Sequence, residues 1–228
     1  MAVYTDLSDE ELAGLLARYD LGAARAFKGI AEGVENSNFY LETDKGRYIL
    51  TVYEKRVKVD DLPFFFAVME QAAHGGAPCP DPVHGRDGQV IQSVRDKPCA
   101  IISFLQGVSP RRPSAAQCRA VGAALARLHV ALAGLEMVRP NALGARAWAG
   151  LAAGRAADME ALEPGSAALV AEDLAALAAW PADLPKGAIH ADLFPDNVLF
   201  LGDAVSGLID FYFACTDLLA YDLAIMLN

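Results

Sequence analysis

Gly187-Ala-Ile-His190-Ala-Asp192-Leu-Phe-Pro-Asp196-Asn197-Val-Leu-Phe200-Leu-Gly202-Asp203, continuing to Gly207-Leu-Ile-Asp210-Phe211, reads as apolar strand, polar loop, apolar strand, turn, and a third apolar strand ending in a carboxylate. Gly202-Asp203 supplies the reversal between the last two strands. Two carboxylates and an amide are thereby expected at strand ends, facing one cleft.

The spacing His-x-Asp-x-x-x-x-Asn, followed by an apolar strand that ends in Asp, suits phosphoryl transfer from a nucleotide. One Asp orients the attacking hydroxyl, while the Asn and the second Asp hold magnesium against the phosphates. Hard oxygen ligands fit magnesium, which keeps much of its water and takes only one or two protein carboxylates. The reading assigns Asp192 as catalytic base, Asn197 and Asp210 as metal ligands, and ATP with Mg2+ as cofactors. The competing reading is a polar hairpin loop with Asp196 as turn former and His190 as a satisfied core histidine. A hydrolase metal site at His190, Asp192 and Asp196 lacks further His or carboxylates at ligand spacing. Ala191 stands where protein kinases place an Arg, and only twelve positions separate Asp210 from Asp222, which leaves no peptide-docking segment. A small-molecule hydroxyl is the expected acceptor.

Working outward, Ser8-Asp-Glu-Glu11 is a capping box opening an amphipathic helix to about residue 19. Five strands are expected at 26 to 31, 37 to 43, 47 to 53, 88 to 94 and 98 to 105, with a long helix from about 60 to 74 closed by Gly75-Gly76. Beyond Phe104-Leu-Gln-Gly107 the chain turns alanine-rich and helical, with helices near 114 to 133, 145 to 162 and 166 to 180 before the hairpins. The sum is an α+β chain of two lobes. Residues 1–105 form a nucleotide lobe, a five-stranded antiparallel sheet with one long helix, and residues 106–228 form a mostly helical catalytic lobe carrying the hairpin. The final run, Tyr221-Asp-Leu-Ala-Ile-Met-Leu-Asn228, has no cap or polar finish and reads as a helix cut short.

Composition narrows the partners. A hydrophobic share of 54% excludes disorder, and a net charge of -10 disfavours nucleic acid and anionic membranes, which need a basic face. Small molecules remain. The four cysteines form no Cys-x-x-Cys pair, and neither a basic leader nor a run of 18 apolar residues occurs, so reduced thiols in the cytoplasm are expected.

Glu32-Gly33-Val-Glu-Asn36-Ser37-Asn38 joins the first two strands, where Gly33, Asn36, Ser37 and Asn38 can present amides and short side chains to a triphosphate; alone, it would be an ordinary hairpin loop. On the third strand Thr51 occupies the place of the phosphate-gripping Lys, with Lys55 or Arg56 as substitutes and Glu70 as a possible partner, though charges at a strand end are more often simply solvated. The backbone from Phe104 to Gly107, with Gln106, forms the connector expected to hydrogen-bond adenine. His129, with apolar neighbours at i−4 and i+3, reads as a packing histidine, and His74 and His84 carry no message.

The chain resembles the homoserine kinases of the aminoglycoside-phosphotransferase-like group, which have a protein-kinase-like fold. The resemblance rests on Gly33-Val-Glu-Asn-Ser-Asn-Phe39, Tyr48-Ile-Leu-Thr-Val-Tyr-Glu54, His190-Ala-Asp-Leu-Phe-Pro-Asp-Asn197, Ile209-Asp-Phe-Tyr-Phe-Ala-Cys215 and Ala220-Tyr-Asp-Leu-Ala224. It implies transfer of the ATP γ-phosphate to L-homoserine on the route to threonine. It implies too that Thr51 is ordinary for the branch, and that Asp222 braces the catalytic loop. The family continues past residue 228 with helices that help close the acceptor pocket. Alternatives are a kinase of another small alcohol (choline, hydroxylysine or an aminoglycoside) and a nucleotide-binding module without catalysis.

Overall fold

The computed structural model describes residues 4–31, 36–54, 57–180 and 183–228. Helix α1 (Asp9–Leu16) begins at the expected capping box: the Ser8 hydroxyl accepts from Glu11 N at 3.2 Å, and the Glu11 carboxylate accepts from Ser8 N at 2.8 Å. Strands β1 (Ala24–Ile30), β2 (Ser37–Thr43), β3 (Gly46–Val52), β4 (Gln92–Val94) and β5 (Lys97–Ser103) form an antiparallel sheet in the order β1-β2-β3-β5-β4. Strand alternation sorts this sheet into two faces. Phe39, Leu41, Leu50, Val52, Cys99 and Ile101 pack with Leu12, Leu15 and Leu16 of α1 in one core. Asn38, Ile49, Thr51 and Ile102 point the other way and roof a cleft.

Helix α2 (Leu62–His74) buries Phe64, Phe65, Phe66, Val68 and Met69 over a wide apolar arc, while Glu70, Gln71 and His74 share the remaining, partly exposed face. An apolar arc this wide must be covered by more than one neighbour. The second core is accordingly continuous from α2 through α3 (Ala115–Ala131) to the hairpins of the C-terminal half, with Leu125, Leu128, Ile189's neighbour Ala188, Val198, Leu208 and Phe211. Burying a ring such as Phe65 contributes about 1.5–3 kcal/mol, so α2 ties the sheet to the C-terminal half.

The expected strand at 88 to 94 shortens to β4, because the Asp87 carboxylate accepts from Gln89 N at 3.0 Å and Gly88 is left-handed at φ +78, so a turn occupies its first half. The expected helix at 145 to 162 is α4 (Ala145–Ala152) and α5 (Ala156–Leu162), broken at Gly154 with φ +75. Helix α6 (Ser166–Ala176) follows. The C-terminal half then forms two separate ladders: β6 (Lys186–Ile189) pairs with β9 (Cys215–Leu218), while β7 (Val198–Leu201) pairs with β8 (Ala204–Leu208), and α7 (Leu219–Leu227) follows.

All four cysteines are free. Burial pushes the Cys79, Cys99 and Cys215 thiols up to about 12, which keeps them uncharged and inert. Among the described residues no helix is long and apolar enough to cross a membrane.

Candidate active site

Strand β6 delivers the chain to His190, where the backbone turns sharply: Ala191 lies at φ +63, a left-handed conformation costing a residue with a Cβ roughly 1–2 kcal/mol. Asp222, on α7, holds this turn. Its fully buried carboxylate accepts from His190 N at 3.0 Å, Ala191 N at 2.9 Å and His129 Nε2 at 2.8 Å. Burial opposes the charge on Asp222, but these donors outweigh it and hold the carboxyl below its ordinary range. The brace that the resemblance implied for Asp222 thus has a partner, His129, which packing alone did not explain.

His190 is fully buried against Phe211, with ring centroids 4.5 Å apart. Its Nε2 faces the carbonyl of Ile209 at 3.0 Å and its Nδ1 faces Asp192 N–H at 3.3 Å. A carbonyl only accepts and an amide N–H only donates, so the ring is the neutral Nε2–H tautomer. Burial lowers the His190 pKa, in agreement.

A short turn, Pro195–Asn197, then brings Asn197 back to Asp192. Asn197 Nδ2 donates to the Asp192 carbonyl at 2.7 Å and to its carboxylate at 2.9 Å. The amide's donors are therefore spent on Asp192, leaving its oxygen for the cleft. Ile209 N donates to Asn197 O at 3.0 Å, which sets Asp210 beside it, at φ +67 in a region that Asp tolerates better than most residues.

Asn197 and Asp210 line a cavity of about 530 Å³ between sheet and hairpins, walled by Ile49, Met69, Ile102, Phe104, Leu199 and Phe211. It is apolar at the connector end and oxygen-rich at the hairpin end, which matches a nucleotide's base and phosphates. In its roof Thr51 donates to Asn38 Oδ1 at 2.8 Å, and Tyr212 lies 2.9 Å from the hydroxyl of Tyr53. Burial, with the Asp210 charge adding to it, pushes Tyr212 up to about 12, so both phenols stay protonated at neutral pH.

The connector is laced to the hairpin. Val108 and Phe200 exchange backbone hydrogen bonds at 3.1 and 3.0 Å, and Ser206 Oγ donates to Gln106 O at 2.6 Å. Only glycine fits between them: a Cβ on Gly107 would lie 2.4 Å from Ser206 Oγ.

Of the residues expected to hold nucleotide and metal, the structure brings Asn38, Phe104, Asn197 and Asp210 to one cavity, with Asp192 on Asn197. Ser37 lies elsewhere, because neighbouring strand residues face opposite ways. Fully buried on the α1 side, its hydroxyl accepts from Tyr4 N and Thr5 N and donates to Glu54. Asn36 is also buried, with Oδ1 on Glu54 N at 3.3 Å. Gln106 is not in the cavity wall, where Leu105 stands instead, and its carbonyl is taken by Ser206. Gly33, Lys55 and Arg56 lie outside the described residues. Glu70 pairs with His84 at 2.7 Å, so neither residue faces the cleft chemistry expected of Glu70. Sequence reasoning missed His129 as the partner of Asp222 and Tyr212 as part of the cavity wall. No local signal could have given the first, since its partner is 93 residues away.

The donor set fits magnesium. An amide oxygen and a carboxylate on one wall suit an ion that keeps its other positions for water and phosphate. Among the described residues no group of three or more His, Cys, Asp or Glu could hold a metal.

Fold and cleft together define a phosphotransferase of the protein-kinase-like class. A model of the phosphotransferase enzyme family matches residues 26–228. The homoserine kinase of Hyphomonas neptunium is 60% identical over 231 residues, covering 100% of this chain and 70% of its own length. That of Methylobacterium sp. strain 4-46 is 58% identical over 229 residues, covering 100% and 71%. The chain belongs to the phosphotransferase enzyme family and, within it, to the homoserine kinases. Solved structures share the fold: an amicoumacin kinase in complex with AMP-PNP and Ca2+ (TM-score 0.69, 16% identity, 97% of this chain and 69% of that one) and a spectinomycin phosphotransferase with ADP and spectinomycin (TM-score 0.72, 14% identity, 97% and 74%).

Proposed function

We propose that this chain transfers the γ-phosphoryl group of ATP to the hydroxyl of L-homoserine, giving O-phospho-L-homoserine and ADP on the way to threonine. The observation that carries the mechanism is the double donation of Asn197 to Asp192, which fixes the carboxylate while freeing the amide oxygen for the cleft. Asp192 accepts the proton of the homoserine hydroxyl as that oxygen bonds to the γ-phosphorus and the bond to the ADP oxygen breaks. Asn197 and Asp210 would hold Mg2+, which supplies charge neutralisation on the phosphates when bound. The adenine end lies along Ile49, Ile102 and Phe104, and Asn38 roofs the end nearer the phosphates. Little covalent work falls to the protein, so most of the rate comes from positioning.

On this reading residues 1–105 are the nucleotide lobe and residues 106–228 the catalytic and acceptor lobe. The partners are small molecules, and the working compartment is the cytoplasm, where ATP and reduced thiols coexist. A coupled assay of ADP release across L-homoserine, choline, hydroxylysine and an aminoglycoside tests the assignment. Homoserine is expected to have the highest kcat/KM; preference for another acceptor overturns it, and calorimetric Mg-ATP binding without any turnover favours a non-catalytic module.

A further inference from the structure

A second cavity, of about 270 Å³, lies on the other side of Tyr212, which walls both. Its lining includes Lys58, Asp61, Arg139, Asn141 and Ala191, the last being the chain neighbour of Asp192. The catalytic loop therefore stands between the two spaces, with metal-ligand oxygens facing one and Ala191 facing the other. The smaller space falls below the roughly 300–1,000 Å³ of cavities that take drug-sized ligands, and suits an acceptor of amino-acid size.

Its charges are fixed side by side. Arg139 Nη2 meets Asp61 Oδ2 at 2.8 Å, Nη1 donates to Ala214 O at 3.0 Å, and the guanidinium lies 4.8 Å from the Phe65 ring centroid. Arg139 Nε is buried with no acceptor among the described residues, so the group is held in place at the expense of one hydrogen bond. A half-hidden ion pair with an unpaired N–H is a poor stabilising device, since desolvation offsets much of its attraction. Lys58, exposed at the cavity rim, adds a second cation. Asn141 is only a wall, because its amide already serves Asp217 at 2.8 Å and Leu143 N at 2.9 Å.

We propose that this cavity is the acceptor subsite, and that Arg139 and Asp61 select an α-amino acid by reading its two charged ends. The guanidinium, helped by Lys58, takes the α-carboxylate, Asp61 takes the α-ammonium, and the side-chain hydroxyl passes Ala191 to reach Asp192. The inference rests on the phosphotransferase reading above and adds the residues that choose the substrate.

Three acceptors separate the ends: L-homoserine, 4-hydroxybutyrate without the ammonium, and 3-aminopropan-1-ol without the carboxylate. Losing one charged contact is expected to raise the homoserine KM about 10- to 100-fold while the KM for ATP stays put. Asp61→Asn should also shrink the preference for homoserine over 4-hydroxybutyrate to within a few fold, and Arg139→Gln should do so for 3-aminopropan-1-ol. A merely structural role would not move these ratios selectively. Should Arg139→Gln fail to fold, Asp61→Asn and Lys58→Met decide, Lys58→Met by a smaller rise in homoserine KM. Unchanged KM and unchanged ratios in folded variants overturn the subsite while leaving homoserine turnover by the parent protein intact. A parent protein that ignores homoserine overturns the functional reading itself, and the subsite with it.

Discussion

Replacing Asp222 by Asn leaves the shape of the brace and removes its charge. The carboxylate takes three donors, two on Oδ2 from His190 N and His129 and one on Oδ1 from Ala191 N. An amide has a single oxygen, so whichever way it faces, its NH2 group meets an N–H. With the oxygen in the Oδ2 place, Ala191 N–H is orphaned, at about 1–3 kcal/mol, and the two surviving bonds lose their charge assistance. The expected loss is about 3–5 kcal/mol of a typical 5–15 kcal/mol, read by urea unfolding at pH 7. The pH dependence carries a sign. The folded Asp222 carboxyl is held below its ordinary value, so its stabilisation is present above about pH 4 and is lost as pH falls through the depressed folded pKa. The gap between parent and variant should therefore narrow below about pH 4. A loss under about 1 kcal/mol at pH 7, or a gap that does not change with pH, would refute the brace.

Removing the other partner, as in His129→Leu, leaves Asp222 with its two backbone donors and should cost less, about 1.5–3 kcal/mol by the same unfolding measurement. Gly107→Ala forces a methyl to within 2.4 Å of Ser206 Oγ and 2.9 Å of Leu199 Cβ. The connector must part from the hairpin, at about 2–4 kcal/mol, lowering Tm by roughly 5–10 °C and raising the KM for ATP; an unchanged melt contradicts the tight seam. Asp210→Ala should raise the magnesium concentration for half-maximal rate at least about tenfold, and unchanged magnesium demand removes Asp210 from the metal site.

The α1 capping box, the glycine-closed long helix and the alternation of β2 are local patterns, and they were legible because the forces behind them act within a few residues. The β7–β8 hairpin was legible for the same reason, and Asp192, Asn197 and Asp210 all lie within one short stretch around it. Strand β9 was not: four residues after an aromatic turn show no period, and their order comes from pairing with β6, thirty residues earlier. The helix over 145 to 162 hid its break because a single Gly154 among alanines barely changes propensity, while its left-handed φ ends the helix outright. Naming Asn36, Ser37 and Asn38 together overlooked the strand's own period, which sends Ser37 into the core and Asn38 to the cleft. His129 and the Arg139–Asp61 pair acquire meaning only from partners brought close by folding.

The proposed chemistry depends on one carboxylate, that of Asp192, held by Asn197, which lines the larger cavity. The most direct test is the turnover of Asp192→Asn with saturating L-homoserine and Mg-ATP, alongside its KM for ATP. The expected result is a kcat lowered about 10²- to 10⁴-fold, the usual worth of a positioned general base, with ATP affinity close to that of the parent protein. A variant turning over at near-parental rate would contradict the assignment.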